Sequence, residues 1–293
     1  MHSTLFIALL AGFGGMLGWG TADFFAKKTI DEIGDLRTLF WQQLFGVVPL
    51  LVIFLAHPKI PHLQHFDLLF LLLFGIVEAL SYLFLYAGFG KGQISLLSPV
   101  FASYSVLVVI LSIIILGESL YWKRSLAIII TFIGILLIST DPQDLRGSLR
   151  KHAFRLEGLT EVIMAMIGYS FWLLYLDKFL NGKQWLFYLL IIRSIAVLTL
   201  GAYAAAKRTS LRFKDTGLWK FLVCIGVFDV AAYSFVSYGF SHSRYPSVIV
   251  VLSATFSLPT MLLAYLFLKE KIKPFQLAAA LTILCGVVLI TLS

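Results

Sequence analysis

The sequence predicts an all-α integral membrane protein in which ten transmembrane helices form two inverted five-helix repeats. Three observations support this fold class: the composition, the length of the apolar runs and an internal repeat. Of the 293 residues, 60% are hydrophobic and only 13% are charged, whereas about a quarter of the residues in soluble domains are charged. A chain with so little polar surface is predicted to be solvated by lipid.

The apolar runs have the length that a lipid bilayer requires. A hydrocarbon core about 30 Å thick is crossed by about 20 helical residues. Ten runs of about this length cover residues 4–26, 36–56, 66–89, 93–116, 122–140, 158–179, 184–206, 217–241, 246–268 and 274–292. The first run has neither the basic segment nor the small-residue cleavage site of a signal peptide, so it is predicted to be a retained helix.

The two halves of the chain repeat each other. The segment GIVEALSYLFLYAGF (75–89) aligns with GVFDVAAYSFVSYGF (226–240) at an offset of 151 residues, so that Glu78 matches Asp229. One residue is then added in the later loop, and ILGESLYWKRSLAIIITFIGILLIS (115–139) aligns with FLKEKIKPFQLAAALTILCGVVLIT (267–291). The sequence therefore predicts a first five-helix repeat at 1–140, a linker at 141–157 and a second repeat at 158–293.

Five spans in each half have a consequence for topology. Since five is an odd number, the second half enters the membrane from the opposite side, which gives an inverted repeat about an axis in the membrane plane. Secondary transporters often have this plan and bind their substrate near the midplane between the halves. Transport of a small solute is the predicted activity.

Several motifs resemble those of a known family. They occur within the ten-span, five-plus-five layout. They are the WGTADFFAKK ending of the first run, the SLLSPVF stretch (95–101), and the LGE and LKE signatures before the fifth and tenth runs. In these features the chain resembles the EamA branch of the drug/metabolite transporter superfamily over nearly its whole length. The resemblance implies transport of small metabolites and no enzymatic activity. It leaves the substrate and the direction of transport open.

Two acidic residues are the main candidates for substrate binding. Glu78 and Asp229 lie in the middle of the third and eighth runs, where an acidic group costs about 3 kcal/mol to insert. Tyr82 and Tyr233 follow four residues later, so each shares a helix face with its acid. The acids are predicted to bind a cationic part of the substrate or to carry a coupling proton; the alternative is a structural ion pair.

Arg193 is the basic residue that lies well inside a predicted span, and Gln43 is its counterpart in the first half. A buried cation needs a partner, and Asp229, Glu78 or a substrate carboxylate could supply it. Arg193 is therefore either a structural ion-pair partner or an anion clamp that would select amino acids or organic acids.

The first run contains an unusual concentration of glycine, in AGFGGMLGWGTADFFAKK (11–28). The small-xxx-small spacing predicts a close-packed helix seam. Asp23 can pair with Lys27 one turn later, near the interface, and lining of a substrate cavity is the weaker alternative for it. Trp19, and Trp172 at a related position in the second half, are further candidates to line a substrate cavity.

The remaining features limit the other functional classes. The net charge of +8 is spread over short loops, which indicates membrane orientation and no nucleic-acid partner. The predicted partners are a small amino-acid-like, nucleobase-like or amphipathic substrate and the lipid bilayer, with protons as a coupling ion left open; no cofactor or metal is predicted. The predicted location is the cytoplasmic membrane, as a monomer or a homodimer. A channel is the main alternative, and a membrane-embedded enzyme is the weaker one.

The charge pattern and the family resemblance disagree on orientation. The odd-numbered loops carry more basic residues than the even-numbered loops, which predicts that both termini lie outside the cytosol. The resemblance implies the opposite orientation, so the sequence leaves this point open.

Overall fold

The computed structural model describes residues 2–116, 122–139, 156–180, 185–214, 216–242, 249 and 252–291. In these parts of the chain the structure is helical and contains no strand. The helices of the first half are α1 (His2–Ile33), α2 (Asp35–Ala56), α3 (His65–Lys91), α4 (Ile94–Ala102), α5 (Tyr104–Leu116) and α6 (Trp122–Ser139). Those of the second half are α7 (Leu159–Leu180), α8 (Trp185–Ala206), α9 (Trp219–His242), α10 (Ser257–Leu263), which continues into a π-helical turn at Ala264–Leu268, and α11 (Pro274–Thr291).

The predicted all-helical fold is confirmed, and six helical segments within the described residues have the length and apolar composition needed to cross a membrane. They are Leu5–Ile33, Asp35–Ala56, His65–Lys91, Ile94–Ile115, Leu186–Ala206 and Trp219–Gly239. The other four predicted spans correspond to shorter apolar helical segments, namely Ser125–Leu137, Leu159–Tyr175, Leu252–Leu268 and Pro274–Leu289. The predicted linker 141–157 lies outside the described residues except for its last two positions.

The fourth and ninth predicted spans are each interrupted at an equivalent position. Between α4 and α5, Ser103 Oγ donates a hydrogen bond to the carbonyl of Val100 at 2.5 Å. In the second half Thr255 Oγ1 donates to the carbonyl of Leu252 at 2.8 Å. Ser103 and Thr255 are related by the same 152-residue offset as the repeat. In both halves the hydroxyl at this position bonds to a carbonyl of the preceding turn, so the two interruptions share the same local geometry.

Packing between the halves follows the repeat as well. Helix α1 packs on α9, and its equivalent α7 packs on α3; likewise α2 packs on α9 while α8 packs on α3. Helices α6 and α11 pack on each other through equivalent glycines: a Cβ at Gly134 would lie 2.7 Å from Ile283, and one at Gly286 would lie 2.8 Å from the Thr131 amide. Each half therefore completes its packing with the other half.

The glycine seam predicted in the first helix is present. A Cβ at Gly14 would lie 2.5 Å from Phe235 Cγ, and one at Gly18 would lie 2.9 Å from the Phe228 carbonyl. Both contacts are with α9, so the small residues allow the backbones of α1 and α9 to approach closely.

The predicted end of the first helix is wrong. Helix α1 continues to Ile33, beyond the apolar run, and Gly34 with φ 87° separates it from α2. The expected pair between Asp23 and Lys27 is also wrong, because Lys27 Nζ lies 2.8 Å from Asp31 Oδ1. The polar last turns of α1 supply a closer partner for Lys27, and this leaves Asp23 to the protein interior.

Candidate functional site

Arg193, on α8, is fully buried at the centre of a polar cluster. Its Nε lies 3.0 Å from Glu78 Oε1 on α3, and its Nη1 lies 2.8 Å from Asp229 Oδ2 on α9. The same Nη1 donates a hydrogen bond of 2.7 Å to Gln43 Oε1 on α2. One guanidinium group thus joins four helices from both halves of the chain.

The cluster consists of two pairs of repeat-related residues. Glu78 and Asp229 are one pair and Gln43 and Arg193 are the other, and all four side chains are buried. We refer to these four residues as the arginine cluster. With both acids ionised it has one negative charge in excess, because a single guanidinium faces two carboxylates. The positions that the repeat alignment related in sequence therefore meet in space.

Tyr233 connects the arginine cluster to the neighbouring aromatic residues. Its ring centroid lies 5.1 Å from Arg193 Cζ, a distance at which a guanidinium is attracted to an aromatic face. On its other side, Tyr233 packs edge-on against Trp19 with the centroids 5.2 Å apart. Its hydroxyl is 3.0 Å from the hydroxyl of Tyr169.

A narrow cavity lies next to the cluster and receives side chains from both halves. The polar and aromatic residues that line it are Trp19, Asp23, Gln42, Tyr82, Tyr86, Phe101, Tyr104, Tyr169, Asp229 and Phe256. The cavity volume is about 30 Å³, which is room for about two water molecules. A metabolite therefore needs a wider conformation than this one.

The predicted site residues divide into three groups. Asp229, Tyr82 and Trp19 line the cavity. Glu78, Arg193, Gln43 and Tyr233 lie outside its lining, connected to it through Asp229 and Trp19. Trp172 does not reach the cavity: its indole Nε1 donates a hydrogen bond of 3.1 Å to the Phe74 carbonyl, and its ring stacks on Tyr169.

Sequence reasoning gave too little weight to two polar residues of the first half. Asp23 lines the cavity one helical turn after Trp19. Gln42 also lines it and accepts a hydrogen bond of 3.3 Å from the Tyr86 hydroxyl. The i, i+4 spacing of Trp19 and Asp23 was the signal that could have identified Asp23, but Lys27 at the next i+4 position obscured it.

Glu270 of the LKE signature has a role that the sequence did not show. Its Oε1 accepts from the Ile94 amide at 3.1 Å and its Oε2 accepts from the Ser95 amide at 3.0 Å and from the Ser95 hydroxyl. A carboxylate from the second half thereby caps the N-terminus of α4 in the first half, where the free amides and the helix dipole favour a negative charge.

The halves also meet beside this cap. Lys91 Nζ lies 2.5 Å from Glu161 Oε1. The backbones of Gly88 and Gly158 approach so closely that a Cβ at Gly158, where φ is +80°, would lie 3.0 Å from the Gly88 carbonyl carbon. The α3–α4 connection is therefore held against the start of α7.

Comparison with known proteins shows what the chain as a whole is similar to. Residues 6–140 and 156–292 each match the EamA-like transporter family. A solved structure described only as "Crystal structure of protein" is 15% identical and superposes with a TM-score of 0.66, over 97% of this chain and 96% of that chain. At this identity the likeness supports the fold alone. No curated protein gives a significant match.

Proposed function

Because the chain belongs to the EamA-like transporter family and is a multi-pass membrane protein, we propose that it is a secondary active carrier. It moves a small solute across the cytoplasmic membrane by alternating access. The observation that carries the proposal is the central cavity, whose lining comes from α1–α5, α7, α9 and the segment before α10. Binding at the interface of two structural repeats is the arrangement that rocking of one half against the other requires.

The small volume of the cavity favours a carrier over a channel. A pore needs a continuous path, whereas this cavity holds about two water molecules and the α3–α4 connection is held by Glu270 and by the Lys91–Glu161 pair. A solute can enter only after the halves move apart. Channel activity remains the alternative outcome of the transport test.

Proton coupling is the second part of the proposal and rests on the excess charge of the arginine cluster. Glu78 and Asp229 share one guanidinium, and an unbalanced carboxylate is costly in the dry interior of a membrane protein. A proton bound to one of the two acids would balance the charge. The neighbouring titratable groups are Asp23 and the tyrosines Tyr82, Tyr86, Tyr169 and Tyr233.

The test is solute exchange in proteoliposomes. A panel of labelled amino acids, nucleobases, sugars and amines is offered with and without a pH gradient. Saturable counterflow supports a carrier, and unsaturable flux with measurable conductance supports a channel. Glu78→Gln lies outside the cavity lining and leaves Arg193 paired with Asp229, so pH-driven accumulation should be lost while counterflow persists. Unchanged accumulation in Glu78→Gln and in Asp229→Asn would exclude coupling through the cluster.

A further inference from the structure

Asp23 differs from the other acid of the cavity because it has no counter-ion among the described residues. Its Oδ2 is buried, and no hydrogen-bond partner for that atom occurs in the described part of the chain. Asp229, on the adjacent helix α9, is paired with Arg193 at 2.8 Å. Lys27, the nearest base along α1, is occupied by Asp31 at 2.8 Å. Asp23 is thus a carboxyl group that faces the cavity without a positive partner in the described structure.

The groups around Asp23 do not supply positive charge. Asp229 on α9 and Tyr86 on α3 interact with it electrostatically, and the Ser98 hydroxyl on α4 is near enough to donate a hydrogen bond to its carboxyl group. Over the residues that the structure describes, the cavity lining contains two acids and no basic side chain. With Asp23 ionised, an anionic substrate would therefore meet repulsion in this cavity, whereas a cation would be attracted and would supply the counter-ion that Asp23 lacks.

Aromatic rings form most of the remaining wall. Tyr82, Tyr86, Tyr104 and Tyr169 come from three helices, and Tyr104 and Tyr169 pack edge to face with centroids 4.9 Å apart. Trp19 lies one turn before Asp23 on the same side of α1. A carboxylate next to several aromatic faces is a favourable environment for an organic ammonium group, because the rings attract the cation and cover its apolar part.

We propose that Asp23 binds the ammonium group of a small amine substrate inside this aromatic cavity. The inference rests on the proposed carrier function and specifies its substrate class. In it Asp23 and the arginine cluster have separate tasks: Asp23 is neutralised by the substrate, and the excess carboxyl of the cluster by a proton. The same cavity then accounts for recognition and for coupling.

The experiment uses three probes that share one ring and differ in charge: phenethylamine, 2-phenylethanol and 3-phenylpropanoate. Binding to the purified full-length protein is measured by the ligand-dependent shift of thermal unfolding, and transport by phenethylamine counterflow. The wild type should bind the amine at least about tenfold more tightly than the alcohol or the acid, and Asp23→Asn should lose at least about tenfold in amine affinity. The matched control Glu32→Gln, at an exposed position of the same helix, should bind like the wild type.

The opposite results would overturn the assignment. They are equal amine binding by wild type and Asp23→Asn, tighter binding of 3-phenylpropanoate than of phenethylamine, or binding of none of the three probes. If Asp23→Asn does not fold, labelling of wild-type Asp23 by an apolar carbodiimide provides the second test. Phenethylamine should protect Asp23 and 2-phenylethanol should not; equal labelling with both probes contradicts the proposal.

The outcomes also separate this inference from the proposed function. Amine binding that depends on Asp23 but occurs with unsaturable flux would retain the binding site and reject the carrier. Saturable counterflow of phenethylamine that is unaffected by Asp23→Asn would retain the carrier and reject the site.

Discussion

Replacing Arg193 by methionine should destabilise the protein strongly, because the change removes the positive charge from the arginine cluster and leaves Glu78 and Asp229 together. At an effective dielectric constant of about 20, the contacts of 3.0 and 2.8 Å each correspond to about 5–6 kcal/mol of attraction before desolvation is counted. Loss of one partner from a buried ion pair typically costs about 3–5 kcal/mol. We expect Arg193→Met to lower the free energy of unfolding by about this amount.

The assay is equilibrium unfolding by sodium dodecyl sulfate in mixed micelles, with helicity as the signal. The matched control is Arg212→Met, because Arg212 is exposed and its replacement should change the stability by less than about 0.5 kcal/mol. A triple variant that adds Glu78→Gln and Asp229→Asn to Arg193→Met should recover more than half of the loss, since the uncompensated carboxylates are then neutral.

Two results would refute this reasoning. One is a loss below about 1 kcal/mol in Arg193→Met, which is too small for a broken buried ion pair. The other is a triple variant that is less stable than Arg193→Met, which would mean that the side-chain shapes and not the charges hold the four helices together.

Three further predictions concern the seam, the helix cap and the two tryptophans. Gly18→Ala places a Cβ 2.9 Å from the Phe228 carbonyl and should lower the free energy of unfolding by about 1–3 kcal/mol. In the control Gly201→Ala the new Cβ lies 3.6 Å from Phe40, an ordinary contact, and should not destabilise the protein. Equal effects of the two changes would contradict the seam. Glu270→Gln should speed hydrogen exchange at the Ile94 and Ser95 amides and lower the free energy of unfolding by about 1–2 kcal/mol. The control is Glu32→Gln, and exchange unchanged from the wild type in Glu270→Gln would contradict the cap. Trp172→Phe should lower the unfolding temperature and leave substrate affinity unchanged. Trp19→Phe should lower substrate affinity and leave the unfolding temperature unchanged. Loss of affinity in Trp172→Phe, with loss of stability in Trp19→Phe, would contradict their placement.

Much of the fold could be predicted from the sequence, because a bilayer imposes strict length and polarity on each helix. The repeat alignment also related Glu78 to Asp229 and Gln43 to Arg193, and these residues do meet. The interruptions at Ser103 and Thr255 were not predicted, since a hydroxyl that bonds to the preceding turn leaves no distinct pattern in an apolar run.

The cavity lining was harder to predict than the cluster. Whether Trp19 or Trp172 faces the cavity depends on the rotation of each helix, and both occupy related positions in sequence. Asp23 was assigned to Lys27 because i, i+4 spacing permits that pair; the extension of α1 to Ile33 brings Asp31 into reach and changes the partner. Contacts between distant segments, such as Glu270 with Ile94, have no local signal.

Access to Ala22 from the two sides of the membrane tests the central claim most directly. Ala22 lines the cavity beside Asp23 and is 5% exposed, and the native thiols Cys224 and Cys285 can be replaced beforehand. We predict that Ala22→Cys in proteoliposomes reacts with a membrane-impermeant thiol reagent added from either side alone, while solute flux stays saturable. Reaction from one side only, or from both sides together with unsaturable conductance, would contradict alternating access at this cavity.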